Sequence, residues 1–308
     1  MDQSGDVGIN TAPIDGVNLT TKSLSSLSLS AGQLIGGLDS GANGSQSFIG
    51  GGCENTASGD TAVVAGGLCN VASNTRAFVG AGSQNIASGN ISSVVGGNCN
   101  NATGFGSFVG GGKNNEAKGS CSTVTGGFSS RADGIGAAVV GGLCNETCNA
   151  YSIIGGGAEN KIDGGSYGII GGGLGNKTTN SYAIVVGGQK NSSAGFIGGG
   201  VLNRVCNSYS TIVGGLSNVV DTTYGIVGGG FSNEVHELRS GILGGFNNIV
   251  NHQDSFAIGS NLRSNGECTT VVNNLSSQGS LHAGDGFSGN IAGCSTITVV
   301  NGIITGAS

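Results

Sequence analysis

The chain has 308 residues, a net charge of −6 and a pI near 4.9, and charged residues make up only 9% of it. Its 65 glycines come with a single proline, which excludes collagen, and they disfavour long helices. The 11 lysines and arginines are too few and too scattered to form a nucleic-acid surface. Because 37% of the residues are hydrophobic and many are β-branched, we expect an ordered, all-β, repetitive chain rather than a disordered one.

Residues 1–33 precede the regular part of the chain, and we expect them to form an attachment or cap segment. They begin Met-Asp-Gln-Ser-Gly-Asp, without the basic region and apolar stretch of a secretory signal peptide, so we expect no such signal here. No apolar run in the chain reaches the roughly 20 residues of a membrane-spanning helix, and membrane insertion is not expected.

Residues 34–261 are built from a repeat whose units read SFIGGGCENTASG, AVVAGGLCNVASN and SFVGGGKNNEAKG. A central asparagine marks each unit, and the step between markers is 15 residues almost throughout, with 16 into Asn176 and 12 into Asn203. The first full units are marked by Asn55, Asn70, Asn85, Asn100 and Asn115, and Ser130 takes the next marker position. This period is too short for a helix and predicts a β-solenoid (a parallel β-roll) of about 14–16 coils, stacked about 4.8 Å apart.

Two other columns of the repeat explain how one coil folds. The position three residues before the marker is always glycine, as at Gly52, Gly67, Gly82, Gly97 and Gly112. Adjacent glycine columns indicate positive φ or close backbone approach. The position six before the marker is always valine or isoleucine, which indicates a strand with a buried side chain. Each unit is therefore predicted to be a strand, a glycine turn, a second strand and another turn.

The marker asparagines have two possible structural roles. They can form a ladder in which each side-chain amide bonds the amides above and below it. Alternatively, each one caps the glycine turn of its own coil. The sequence leaves both open, and the two roles are compatible.

A rule of conserved volume links the positions seven and five before the marker. A large residue at the first comes with glycine at the second, and a small first residue usually comes with a branched second one, as in Ser93 with Val95. The clearest large-with-glycine pairs are Phe48 with Gly50, Phe78 with Gly80, Phe108 with Gly110, and Phe196 with Gly198. Conserved volume indicates close packing, and a 15-residue coil cannot bury both faces of its strand. We therefore expect this face to pack against copies of itself in an obligate homo-oligomer around an axis along the rod.

The units of the form Ser-x-Val-Gly-Gly-Gly-x-x-Asn-x-Ala-x-Gly, closing with FAIGS at 256–260, resemble the YadA-type heads of trimeric autotransporter adhesins. The resemblance covers residues 34–261. It implies a left-handed parallel β-roll in which three chains wind into one intertwined homotrimeric fibre. Both bacterial adhesins and viral fibres use such repeats, so the resemblance is specific for architecture and less so for function.

The flanks favour a viral fibre. Residues 5–13 read GDVGINTAP and resemble a segment common in phage tail fibres, with Asn10 in place of glycine. Residues 262–308 are expected to be a β-rich connector or tip, in which 269–275 resembles the strand leading out of viral heads. Residues 296–305 look like a fibre-terminal hairpin, since Asn301-Gly302 between apolar runs is a strong hairpin signal.

No catalytic, cofactor-binding or metal site is expected. The histidines at 236, 252 and 282 are few and dispersed, and only His236 and His252 fall on neighbouring coils, where a metal site is a minor alternative. The nine cysteines are odd in number and irregular in spacing, so we expect reduced thiols and assembly in a reducing host cytoplasm.

Together these observations predict a non-enzymatic structural fibre protein of a virus, and we expect a phage tail or capsid fibre on the virion surface. Its expected partners are itself, other virion proteins through one terminus, and a host receptor or glycan. The repeats would act mainly as a rigid spacer, with specific contacts at residues 1–33 or 262–308. The alternatives are a bacterial cell-surface trimeric adhesin head and, more remotely, an ice-binding solenoid, for which the threonine columns are too sporadic.

Overall fold

The computed structural model describes residues 34–35 and 37–273, and these form a parallel β-solenoid without any helix among them. Each coil passes through a two-residue strand, a glycine turn, a single bridge residue and a second two-residue strand. The described part contains no helix long and apolar enough to cross a membrane. The all-β solenoid predicted from the repeat is confirmed.

The first sheet contains 17 strands, one from nearly every coil. They are Leu34–Ile35, Phe48–Ile49, Val63–Val64, Phe78–Val79, Ser93–Val94, Phe108–Val109, Thr123–Val124, Ala138–Val139, Ile153–Ile154, Ile169–Ile170, Ile184–Val185, Phe196–Ile197, Thr211–Ile212, Ile226–Val227, Gly241–Phe246, Phe256–Ser260 and Thr270–Val272.

The second sheet contains 15 strands. They are Gly41–Ala42, Thr56–Ala57, Val71–Ala72, Ile86–Ala87, Asn101–Ala102, Glu116–Ala117, Arg131–Ala132, Glu146–Thr147, Lys161–Ile162, Lys177–Thr178, Ser192–Ser193, Arg204–Val205, Val219–Val220, Glu234–Val235 and Ile249–Val250. A third line of single parallel bridges, the bridge column, follows the glycine turns from Leu38 to Phe246.

The register of the strands follows the period of the sequence. Phe48 pairs in parallel with Val63 one coil later, and the longer and shorter steps are absorbed without loss of pairing, as where Val185 faces Ile197. At about 4.8 Å per coil, some 15 coils give a rod of about 70 Å. The predicted coil number and period of about 15 residues are therefore confirmed.

The core is a single file of side chains between the two sheets. Valine or isoleucine of the first sheet, such as Val64 and Val79, is fully buried, and it faces small residues of the second sheet, such as Ala57 and Ala72. In several later coils the buried second-sheet residue is larger, as at Ile162. The β-branched residues suit the strands that carry them.

The glycine turns leave no room for a side chain. Gly67 has a φ of +103°, and a Cβ there would lie 2.2 Å from the carbonyl oxygen of Gly82 on the next coil. A contact this short with backbone cannot be relieved by rotating a side chain. The column therefore admits only glycine because the coils stack so closely.

The parallel pairing continues past residue 261, because Thr270–Val272 adds a strand beside Phe256–Ile258. Ile249 also forms a bridge with Arg263. The expected attachment segment at 1–33, the hairpin at 296–305 and His282 all lie outside the described residues.

Candidate functional site

The marker asparagines form one buried column along the rod. Asn85 is fully buried, and its Nδ2 donates to the carbonyl oxygens of Ala81 in its own coil and Gly97 in the next, both at 2.9 Å. Its Oδ1 accepts a 3.0 Å hydrogen bond from the backbone amide of Asn100. Each asparagine therefore caps its own glycine turn and also joins two coils.

This ladder differs from the one in which side-chain amides bond each other. In most coils the side chain bonds backbone atoms above it, and amide-to-amide bonds occur at a few steps, such as Asn160 to Asn145 at 3.1 Å. Backbone partners are favoured because the turn presents its carbonyls directly to Nδ2. At Ser130 the column is weaker, since the amide of Asn145 reaches its Oγ only at 3.4 Å.

The phenylalanines of the expected packed face point away from the core, on the outer face of the first sheet. Phe48, Phe78 and Phe108 lie on alternate coils, about 10 Å apart, and Phe196 lies farther along the same face. From Phe48 to Ile258 this face carries no charged residue. In the single chain it is uncovered, with large apolar side chains exposed beside it in the bridge column. The more exposed members of the two columns are Phe78, Val95, Val140, Ile153, Ile169, Val186, Val213, Leu243, Ile258, Leu38, Leu68, Phe128, Leu143, Leu174, Leu216, Phe231 and Phe246.

The glycines that accompany the phenylalanines have a backbone explanation as well as a volume explanation. A Cβ on Gly110 would lie 2.3 Å from the carbonyl oxygen of Thr125 on the next coil and 3.4 Å from Cε1 of Phe108. The same two contacts recur at Gly80, with Val95 and Phe78. The backbone of these coils is therefore set so that only glycine fits, and the phenylalanine ring covers the space that the glycine leaves.

The outer face of the second sheet is chemically the opposite of this apolar face. Ion pairs follow it from coil to coil, for example Lys161 with Glu146 at 3.3 Å and Lys177 with Asp163 at 2.9 Å. Each is more than a quarter exposed, so each contributes little to stability. The ion pairs indicate that the outer face of the second sheet is exposed to water.

Within this charged face, Asp133, Glu146 and Cys148 place three potential metal-ligand atoms within 4.8 Å of one another. Both carboxylates are already paired with cations, because Arg131 contacts Asp133 and Glu146, and Lys161 contacts Glu146. Burial and a hydrogen bond to Glu146 raise the pKa of the Cys148 thiol, which keeps it protonated. The cluster is therefore better explained as an ion-pair network than as a metal centre.

The two described histidines do not form a joint site. His236 lies between two carboxylates, with Nδ1 2.8 Å from Asp221 and Nε2 3.0 Å from Glu234, whereas His252 contacts the Ser264 hydroxyl at 2.8 Å. Partial burial lowers the pKa of His236, but the hydrogen bonds to its two carboxylates outweigh this and raise it above its ordinary value. All cysteines in the described part of the chain are free.

The sequence reasoning missed a column of tyrosines at the corner that precedes the first sheet. All five tyrosines of the chain occupy this corner, at 151, 167, 182, 209 and 224, and each has a positive φ between 55° and 64°. The signal was present in the sequence as a tyrosine six or seven residues after successive markers. No protein-family model matches the chain, and comparison with curated proteins finds none that is similar, so the functional inference rests on these faces and this corner.

Proposed function

We propose that this chain is a non-enzymatic, homotrimeric structural fibre of a virus, built like a YadA-type head and used for attachment to a host surface. The observation that carries the proposal is the contrast between the two outer faces of one rigid rod. One is uncharged along its whole length and mostly apolar, and the other carries the ion pairs.

The apolar outer face of the first sheet extends along the rod, so a partner that covers it has to be as long as the rod. Val140, Val213 and Leu243 are each more than half exposed in the single chain, although their neighbours continue the same apolar surface over many coils. Soluble monomers rarely leave so large a continuous apolar patch uncovered. A second and third copy of the chain present the matching surface at the same spacing, and cyclic symmetry lets the patches close on each other. The number three is taken from the resemblance of the repeats to YadA-type heads.

Such a rod is suited to mechanical rather than catalytic work. Each coil bonds only its neighbours, so length can be added by repetition without a new core. Among the described residues, no activated nucleophile or acid–base pair lies in a cavity. The recurring residues of the repeat stabilise the stacking of the coils.

Two measurements test the proposal separately. Light scattering on the purified full chain should give three times the monomer mass of 29.8 kDa, and a stable folded monomer would overturn the trimer. Mass spectrometry and antibody labelling of purified virions should then place the chain on the particle surface. If the chain is instead found on bacterial cells and never on virions, the adhesin head replaces the viral fibre.

A further inference from the structure

The tyrosine corner forms two aromatic stacks with a gap between them. Tyr151, Tyr167 and Tyr182 stack on successive coils, with ring centroids 5.3 and 5.1 Å apart. Tyr209 and Tyr224 form a second stack at 5.6 Å. Tyr182 and Tyr209 are the most exposed of the five, at 71% and 76%, because each ends its stack at the gap.

The gap comes from the one short step of the repeat. The coil between the two stacks has 12 residues instead of 15. Both neighbouring coils have three additional residues at the position that lies between Ala194 and Gly195 in this coil. Those three residues are Asn-Ser-Tyr in both flanking coils, at 180–182 and 207–209. The chain therefore lacks one tyrosine in a stack that would otherwise continue from Tyr151 to Tyr224.

The missing corner leaves an open cleft of about 910 Å³. Tyr182 and Tyr209 stand on its two sides, two coils or about 10 Å apart, so a ring placed midway would lie about 5 Å from each. Hydroxyl and amide groups line part of the rest, together with the apolar side chains of Ile184 and Phe196. Nδ2 of Asn180 donates to Oγ of Ser208 across the gap at 3.4 Å. No charged residue lines the cleft.

We propose that this cleft binds a neutral pyranose ring of a glycan, held between Tyr182 and Tyr209. The aromatic faces suit the apolar faces of a sugar ring, whereas the amides and hydroxyls around them suit its equatorial hydroxyls. The lack of charge selects against phosphorylated and carboxylated ligands, because their charge would be desolvated without a partner. A purely aromatic ligand would leave the polar lining without hydrogen bonds.

The proposal stands on the cleft itself and does not require the attachment function. It does revise one expectation from the sequence, in which specific contacts come only from the chain ends and the repeats serve as a spacer. The break in the repeat removes three residues from this corner, and it gives the otherwise uniform rod a distinct site.

The tyrosines themselves report on binding. The chain has no tryptophan, and all its tyrosines lie in this corner, so its intrinsic fluorescence comes only from the two stacks. Titration of the purified full chain with methyl β-glucoside, methyl β-galactoside, N-acetylglucosamine and their short oligomers should give a saturable change with at least one of them. Sorbitol has the hydroxyls without a ring, and glucuronate has a charge, so neither should compete.

Three variants test the location of the site. Tyr182→Ala and Tyr209→Ala should each weaken binding by about tenfold or more, measured by calorimetry. Tyr151→Ala is the matched control, because Tyr151 is stacked in the same column but does not line the cleft, and it should keep full affinity. Insertion of Asn-Ser-Tyr between Ala194 and Gly195 copies both neighbouring coils, so it should abolish binding while the protein still folds.

The outcomes separate the proposal from its competitors. No saturable response to any neutral sugar, or full affinity in the insertion variant, would overturn it. If the insertion variant also loses the oligomeric mass of the parent protein, the cleft is instead filled by a neighbouring copy of the chain, and the sugar site is rejected. That result would reject the sugar site and leave the trimeric fibre unchallenged. A monomer that binds sugar would reject the trimer and support the sugar site.

Discussion

The backbone amide of Asn115 donates a 3.0 Å hydrogen bond to Oδ1 of Asn100, its equivalent one coil earlier. The Nδ2 of Asn100 in turn donates to the carbonyl oxygens of Gly96 at 2.8 Å and Gly112 at 2.9 Å. One fully buried side chain thus satisfies groups in its own coil and in the next. The column of such residues forms a ladder of hydrogen bonds that joins successive coils inside the rod.

Asn100→Ala should lower the stability of the rod by about 2–3 kcal/mol, because the amide of Asn115 and two turn carbonyls lose this partner away from water. Urea unfolding followed by circular dichroism measures the loss. Asn101→Ala is the adjacent control, since the Asn101 side-chain oxygen is buried without a hydrogen-bond partner. Equal losses in the two variants would show that the marker column has no special weight.

Ser130→Asn should stabilise the protein, by about 1 kcal/mol. Ser130 is the one substitute in the marker column of the early coils, and its Oγ receives the amide of Asn145 at 3.4 Å instead of about 3.0 Å. An asparagine there would restore the shorter bond and a second donor to the turn. The same unfolding assay checks this, and a lower midpoint than that of the parent chain would contradict it.

The coil period, the parallel pairing and the buried columns could be predicted because each depends on one residue type at one spacing. Glycine recurs at the position of Gly67, and valine or isoleucine at that of Val79, because the coil admits little else there. The aligned repeats therefore indicate the steric constraint before the structure is known. The bonding of the asparagines could not be chosen this way, since rotation of the same amide reaches either a side chain or a backbone carbonyl. That choice depends on where the folded turn places its carbonyl groups.

The cleft between Tyr182 and Tyr209 shows a second limit of the sequence. The 12-residue step into Asn203 is visible in the sequence, but the number alone does not say which corner lost its residues. The location follows only when Val185 is paired with Ile197, which keeps the first sheet continuous and places the deletion before it. The strand pairing between coils shows which corner lost the three residues, and the length of the step alone does not.

Gly110→Val should destabilise the protein by about 1–3 kcal/mol or more, because the new Cβ meets a backbone oxygen of Thr125. The double variant with Phe108→Thr copies the volume of an alternate coil and relieves only the softer contact at 3.4 Å. It should therefore recover a minor part of the loss in a double-mutant cycle. Nearly full recovery would show that side-chain volume on the outer face is the dominant constraint.

Val213→Glu should disrupt self-association, because it places a charge in the middle of the uncharged outer face of the first sheet, where Val213 is 55% exposed. A buried charge without a partner is costly in the assembly and harmless in the single chain. Sedimentation velocity should show a shift towards monomer. Ser192→Glu is the matched control on the second sheet, between Lys177 and Arg204, and should keep the parent mass. If both variants sediment like the parent, the apolar face is not the interface.

His236 should make stability depend on pH near neutrality. Its folded-state pKa is raised above the ordinary value of about 6.5, because its hydrogen bonds to Asp221 and Glu234 outweigh its partial burial. A raised pKa means that the folded chain binds the proton more tightly, so the stabilisation is fully present below about pH 6.5 and is lost as the pH rises through the folded-state pKa. The parent protein should therefore lose more stability between about pH 6 and pH 8.5 than His236→Gln, as measured by thermal unfolding at low salt. His252→Gln is the control for the loss of a histidine away from this carboxylate pair, because its parent side chain contacts the Ser264 hydroxyl. Parallel profiles for His236→Gln and the parent would mean that the carboxylate pair does not hold the proton in the folded rod.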